Sequence, residues 1–355
     1  MAEKEKLAFY NYDRLYSYNA TYNILVGARG LGKTYGIKLK VIIAAIKKGD
    51  QFIYLRRYKE ELKTSARTFF ADIEREFPDH DFKYANGKAY MAPAETRDVK
   101  KRSWTHIGYF IALSQAQSVK GVSYPLVKVI IFDEFIIEKG MTHYLPDEAK
   151  AFNQFYSTVD RWQDRTKVFF LANAVSIQNP YFMEWGIEPK AEMEWIKKYK
   201  ITTISPSGVE GRKDFIVCHF ADSADFKAGV YKTAFGQFIE GTEYGDYAVG
   251  SEFSDNNDNL IQKKNPRATY QFTLETRGGV FSVWVDWNGP DYYIQTKLPK
   301  EQDWFTILPE RVTEEKTLLI FSDKMLSGMR TAFRNGHAFF DAPRSRNAFI
   351  DIFRR

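Results

Sequence analysis

Gly27-Ala-Arg-Gly-Leu-Gly-Lys-Thr34 fits the pattern G-x-x-x-x-G-K-[ST], and each fixed position has a chemical reason. Glycines let successive backbone N–H groups turn inward around a phosphate, and the start of a following helix adds the positive end of its dipole. Gly27, Ala28, Arg29, Gly30, Leu31 and Gly32 supply that cradle. Lys33 is placed to reach the β- and γ-phosphates of a nucleoside triphosphate such as ATP, and the Thr34 hydroxyl to ligate Mg²⁺. About a hundred residues on, an apolar run from Val127 to Phe132 ends in Asp133-Glu134. A carboxylate at the tip of a buried strand can hold Mg²⁺ through its water shell, and the next one can take a proton from an attacking water. Asp133 is therefore expected as a metal ligand and Glu134 as the general base. Adjacent acids with separate tasks imply hydrolysis of the nucleotide as well as binding.

These groups meet only if the chain folds so that both segments reach one edge of a sheet. Tyr22 to Val26 reads as a buried strand and Thr34 to Lys48 as a helix closed by Gly49. Gln51 to Leu55 is a second strand, Glu60 to Phe77 a helical stretch, and Asp81 to Met91 a hairpin around Asn86-Gly87. Gly108 to Leu113 is a further strand, Pro146 to Val159 a helix, and Lys167 to Ala172 a strand closed by Asn173. Strands alternating with helices imply an α/β fold with a mainly parallel sheet, and ligands then bind at the carboxyl ends of its strands. Gly27 to Thr34, Asp133, Glu134 and Asn173 all fall there. The strand at Gly108 to Leu113 is read as the one separating the phosphate-loop strand from the acidic strand. That reading places the fold in the additional-strand, catalytic-glutamate division of phosphate-loop enzymes. Asn173 is expected to sense the γ-phosphate through its side-chain amide.

The remainder sets bounds. With 355 residues the chain can hold two domains, and 44% apolar with 27% charged residues excludes a disordered class. A single cysteine, Cys218, excludes an intramolecular disulfide framework and suits a reducing compartment. No apolar run approaches the length of a membrane span, and the N-terminus has no apolar signal core, so no membrane partner is expected. The expected division is a nucleotide-hydrolysing domain over residues 1–200, a Thr/Ser/Pro/Gly-rich linker over 201–228, and a β-rich domain over 229–355 without repeats. Net charge is +6, and Lys324, Arg330, Arg334, Arg344, Arg346, Arg354 and Arg355 against Asp341 and Asp351 contribute +5 of it. Phe333, His337, Phe339, Phe340, Phe349 and Phe353 interleave with those cations. Such a tail either contacts a polyanion or is a solvated basic face over core aromatics.

Several stretches resemble the DNA-packaging ATPases of small podoviruses infecting Gram-positive bacteria, relatives of the large-terminase motors. They are Val26 to Lys33, Gln51-Phe-Ile-Tyr-Leu-Arg-Arg-Tyr58, Glu76 to His80, Phe132-Asp-Glu-Phe135, Asn173-Ala-Val-Ser176, Asn179-Pro-Tyr-Phe182 and Gly241-Thr-Glu-Tyr-Gly245. The resemblance implies a homo-oligomeric ring at the capsid portal, in the host cytoplasm, that hydrolyses ATP with Mg²⁺ to drive double-stranded DNA into a preformed head. A packaging RNA stands among the partners it raises. It also implies a guanidinium or ammonium acting in trans. Arg161 aligns with the family's proposed arginine finger, Arg165 and Lys120 are further candidates, and Arg29 could act in cis. Related motors place an arginine near the nucleotide after the second strand, which selects Arg56, with Arg57 the alternate. For the C-terminal domain the resemblance implies an RNase H-like, vestigial nuclease fold. The competing function is a nuclease–ATPase that also cuts DNA, for which Asp286, Asp323 and Asp341 are the candidate carboxylates. A weaker third reading is a nucleotide-gated adaptor.

Overall fold

The computed structural model describes residues 9–94, 102–119, 121–137, 144–173, 179–185, 187, 201–204, 215–221, 223–249, 260–320 and 322–342, together with 345, 346, 348, 349 and 352. The chain forms two compact units. Unit 1 comprises Met1–Ser176 and Ile196–Ser254, and unit 2 comprises Ile177–Trp195 and Asp255–Arg355.

Unit 1 is built on β1 (Tyr22–Gly27), β2 (Gln51–Arg56), β3 (His80–Ala85), β4 (Lys88–Pro93), β5 (Thr105–Ala112), β6 (Val127–Asp133), β7 (Lys167–Asn173), β8 (Ile201–Ile204) and β9 (Ile216–Ala221). They form one sheet in the order β3-β4-β5-β2-β6-β7-β1-β9-β8. From β5 to β9 neighbours run parallel, while β3, β4 and β8 add antiparallel edges. A parallel sheet is covered on both faces, so its strands read as continuous apolar runs. Every residue of β1 and β9 is buried accordingly. The helices of this unit are α1 (Asp13–Ser17), α2 (Lys33–Lys48), α3 (Lys59–Arg67) and α4 (Glu148–Asp160), followed, after α5 (Pro180–Trp185) of unit 2, by α6 (Ala224–Tyr231), α7 (Ala234–Ile239) and α8 (Glu243–Ala248). Ile37, Val41, Ile42 and Ala45 recur at helical spacing and bury one face of α2 in the core with Leu25, Phe52 and Phe169. Each large apolar side chain so buried contributes roughly 1.5–3 kcal/mol. Gly49 then ends α2 in the left-handed conformation at φ 69°.

Four expectations change. The strand lying between the phosphate-loop strand and the acidic strand is β7, whereas β5 lies outside β2. The helix expected to run to Phe77 ends at Arg67, with a separate 3₁₀ turn at Glu74–Glu76. The expected linker 201–228 contains β8 and β9, which extend the unit 1 sheet, and unit 1 continues to Ser254. A short tandem repeat is also present: Thr233-Ala-Phe-Gly-Gln-Phe and Thr242-Glu-Tyr-Gly-Asp-Tyr open α7 and α8. Each threonine hydroxyl accepts a bond from the glycine N–H three residues on, at 3.0 and 3.1 Å. A Cβ on Gly236 or Gly245 would stand 2.0 or 2.2 Å from a backbone carbonyl oxygen, which is why glycine recurs in both copies.

Unit 2 carries β10 (Thr269–Thr276), β11 (Gly279–Asp286), β12 (Asp291–Gln295), β13 (Trp304–Thr306), β14 (Lys316–Leu318) and β15 (Ala338–Phe340), ordered β14-β13-β10-β11-β12-β15. The β10–β11–β12 meander is antiparallel, and β13, β14 and β15 join in parallel. Helix α9 (Lys324–Arg334) packs beside β12 and β15. Phe340 and Phe349 lie in the core of this unit with Phe272 and Phe281, and Phe333 packs against it. Those tail aromatics therefore serve packing, and Arg346 is fully buried as well. Arg344, Phe353, Arg354 and Arg355 lie outside the described residues.

Candidate nucleotide site

The parallel register places the site. Gly27 ends β1 beside Asn173 at the end of β7, and Asp133 ends β6 beside Leu171. Three segments far apart in sequence thus converge at the carboxyl edge, around an open cleft of about 450 Å³. Gly30 and Gly32 adopt φ of 80° and 79°, as the turn over a phosphate requires.

Lys33 folds back over its own loop. Its Nζ donates to the carbonyls of Gly27 at 2.9 Å and Ala28 at 2.7 Å, and to Asn173 Oδ1 at 3.1 Å. Burial lowers its pKa to about 8, opposed by the Asp133 carboxylate and assisted by Arg29. Thr34 donates its hydroxyl to Asp133 Oδ1 at 3.0 Å, and Tyr54 donates to Asp133 Oδ2 at 2.8 Å. The hydroxyl and carboxylate thus form an oxygen donor pair of the kind Mg²⁺ takes in phosphate sites.

Glu134 follows β6 in the left-handed conformation at φ 55°, a strained setting for a non-glycine residue. Its carboxylate accepts from Arg56 Nη2 at 2.5 Å, and Arg56 Nη1 lies 3.8 Å from Asp133. Burial pulls the Arg56 pKa down, but Tyr54, Asp133, Glu134 and Glu61 outweigh it and raise it further above the ordinary arginine range. Its neighbour Arg57 takes a different task. Fully buried, it donates to Glu148 from Nε at 2.7 Å and from Nη2 at 2.9 Å. The same guanidinium donates to the carbonyls of Glu134 at 3.3 Å and Phe135 at 2.6 Å. Sequence reading missed Glu148, which carries no local motif and lies 91 residues from its partner.

The candidates for action in trans separate clearly. Lys120 lies outside the described residues. Arg165 is a staple within its own subunit, donating to the carbonyls of Tyr124, Pro125 and Val159 at 2.9, 2.5 and 2.8 Å. Arg161 is exposed, and its guanidinium donates to the Val122 carbonyl at 3.4 Å. Both precede β7, so they sit at the amino edge of the sheet, about 20 Å of strand away from the phosphate loop of the same chain. Asp160, 2% exposed, organises this turn: its carboxylate accepts from the N–H groups of Gln163, Asp164, Arg165 and Thr166, each at 2.9 Å. Burial raises its pKa, and these four bonds more than reverse that, so the net shift is downward. Asp160→Ala is expected to destabilise the protein by about 2–4 kcal/mol, measured by denaturant unfolding at pH 7. Because the folded pKa is depressed, the difference between parent and variant should persist above pH 4 and shrink as pH falls through the acid range.

Helices α6 and α8 also border the loop. Arg29 N–H donates to the Ala248 carbonyl at 3.0 Å, and Phe226 lies against Gly30.

A family profile described as "Podovirus DNA encapsidation protein (Gp16)" matches residues 4–355. A DNA packaging protein of Bacillus phage phi29 is 34% identical over 354 residues, covering 99% of this chain and 98% of the relative. Among solved structures, the bacteriophage Phi-29 viral genome packaging motor assembly is similar with a TM-score of 0.73 at 33% identity, covering 98% of this chain and 99% of that one. The N-terminal domain of the DNA packaging ATPase from bacteriophage phi29 matches at 35% identity and a TM-score of 0.51, covering 61% of this chain and 98% of that domain.

Proposed function

We propose that this chain, which belongs to the podovirus DNA encapsidation protein (Gp16) family, is the ATP-hydrolysing subunit of a ring-shaped motor that moves double-stranded viral DNA into a preformed capsid. The observation that carries this reading is the contact of Thr34 with Asp133 at 3.0 Å, which joins the phosphate loop to the acidic strand in one cleft with Lys33, Glu134 and Asn173. The related proteins named for DNA packaging supply the polymer, and the motor works in the host cytoplasm at the capsid portal.

Lys33 exchanges its three local acceptors for phosphate oxygens when nucleotide enters. Thr34 and Asp133 would hold Mg²⁺, which neutralises charge between the β- and γ-phosphates when bound. Glu134 takes the proton of the attacking water, and to do so it must leave Arg56, because the carboxylate oxygen that accepts from the guanidinium has to turn to the water. Asn173, released by Lys33, turns its amide toward the γ-phosphate. Arg161 cannot reach its own cleft across the depth of the sheet, so it serves the cleft of a neighbour.

β7 between β1 and β6 supports the additional-strand, catalytic-glutamate assignment. The meander of unit 2, continued by the parallel strands β13 and β14, supports an RNase H-like ancestry. The nuclease reading has no such support. Asp286 accepts from Asn265, Asp323 caps α9, and Asp341 accepts from Thr296 and Ser345. Among the described residues no cluster of three or more His, Cys, Asp or Glu could hold a metal ion.

Mixing tests the interface. Arg161→Ala subunits and Glu134→Gln subunits should each be nearly inactive with DNA present, and mixtures should regain a measurable part of the parent hydrolysis rate. In a mixed ring, an intact base then meets an intact arginine at some interfaces. No recovery at any ratio would refute Arg161 as the trans residue.

A further inference from the structure

We infer that Trp162 docks on the Phe9 rim of the nucleotide cleft in a neighbouring copy of this chain and thereby aims Arg161 at the phosphates held there. The inference rests on the trans reading of Arg161. Trp162 is 91% exposed, more than any other large apolar side chain among the described residues. It does not hang from a loose loop. Arg161, Trp162 and Asp164 all take the left-handed conformation, with φ of 52°, 59° and 52°, and none is glycine. The buried Asp160 carboxylate ties down four consecutive N–H groups beneath them, and Arg165 staples the turn to the carbonyls of Tyr124 and Pro125. Val122 and Leu126, both exposed, lie on that neighbouring segment. A strained backbone held rigid to present an indole to solvent is the pattern of a preorganised anchor, which loses little freedom on docking.

The occupant follows from chain connectivity and charge. Adjacent Cα atoms are about 3.8 Å apart, so when Arg161 enters a cleft, the Trp162 ring must land at its mouth. The cleft is lined by Lys33 and Arg75 as well as by Asp72, Asp133 and Glu134, and the cation of Arg161 matches the phosphates of a nucleotide held there. At that mouth stands Phe9, 55% exposed, seated on Gly32 and 6.1 Å from the Tyr35 ring. Within one subunit the two positions lie at opposite edges of the sheet, so only a second copy can bring them together.

The single native cysteine helps the test. Cys218 is buried and its thiol pKa is pushed up by that burial, so it stays unreactive. A chain carrying Trp162→Cys and Phe9→Cys, oxidised with duplex DNA and a non-hydrolysable ATP analogue, should give a ladder of disulfide-linked multimers. Either single variant should stop at dimers. A disulfide needs Cα atoms within about 7 Å, so the ladder reports contact between copies. In parallel, Trp162→Ala should raise the protein concentration for half-maximal hydrolysis by about tenfold or more, and Trp162→Phe should recover most of that loss. No ladder together with a Trp162→Ala curve that superposes on the parent would overturn the inference. A ladder only from Trp162→Cys with Phe235→Cys, on the exposed face of α7, would overturn it too by moving the landing site. A ladder at positions 162 and 9, without recovery in the Arg161→Ala and Glu134→Gln mixture, would refute the finger and leave the docking standing.

Discussion

Glu134→Gln is expected to bind ATP as tightly as the parent protein and to hydrolyse it at least about 100-fold more slowly. The substitution keeps the shape and the left-handed backbone, and it leaves Lys33, Thr34 and Asp133 untouched. What it removes is the basic carboxylate that takes the proton from water, since an amide oxygen accepts hydrogen bonds but does not hold a proton near neutral pH. Lys33→Ala is expected to abolish hydrolysis and weaken binding together, because the ammonium faces the phosphates in the ground state as well as the transition state. The parent protein carries a matching pH signature. With its pKa lowered to about 8 by burial, Lys33 is charged below that pH and must take up a proton on binding above it. ATP affinity, measured by calorimetry or a fluorescent analogue, should be flat from pH 6 to 7.5, fall above 8, and lose that dependence in Lys33→Ala. Near-normal turnover by Glu134→Gln would assign the base elsewhere.

The parts of this site that a sequence reveals are those fixed by local rules. The phosphate loop is one, since its spacing is set by backbone approach to phosphate, and the Val127–Phe132 run with its terminal acids is another. Asn173 was legible because it closes an apolar run that could only be a buried strand. Sheet order was not legible. Whether β5 or β7 separates β1 from β6 depends on crossovers that leave no mark in either strand, and both are apolar runs of similar length. The supposed linker misled for a related reason. Thr202 and Thr203 in β8 read as polar loop, although threonine is a good strand residue and pairs here with Cys218 and Val217 of β9. The basic tail failed on geometry. Charge and aromatics alternate there, yet Arg346, Phe340 and Phe349 turn inward. Arg56 and Arg57 show the limit at its sharpest. Arg56 closes β2 and Arg57 is the first residue beyond it, and their side chains part there, so one reaches the nucleotide cleft and the other the buried Glu148.

That second arginine leads to the other large effect. Arg57 and Glu148 are 2% and 0% exposed, so removing one partner leaves a charge in the interior with nothing to balance it. Glu148→Ala is expected to destabilise the protein by about 3–5 kcal/mol. For a unit of this size that lowers Tm by roughly 10 °C. The variant also loses the acceptor for the Leu145 N–H, which donates to Glu148 Oε2 at 2.7 Å at the start of α4. Glu148→Gln keeps the shape and one acceptor oxygen, so its loss should be smaller. Hydrolysis offers a second readout, because the Arg57 guanidinium that Glu148 orients also holds the Glu134 and Phe135 carbonyls. If that clamp keeps Glu134 in its left-handed setting, Glu148→Gln should cut kcat well below the parent at a temperature where it remains fully folded, while ATP affinity stays unchanged. Parent-like kcat in a destabilised Glu148→Gln would limit the pair to stability. Replacing both residues by apolar ones separates the roles further: Arg57→Met with Glu148→Leu should recover much of the lost Tm, since no lone charge remains buried. It should recover none of the kcat, because methionine cannot donate to the two carbonyls that fix the base.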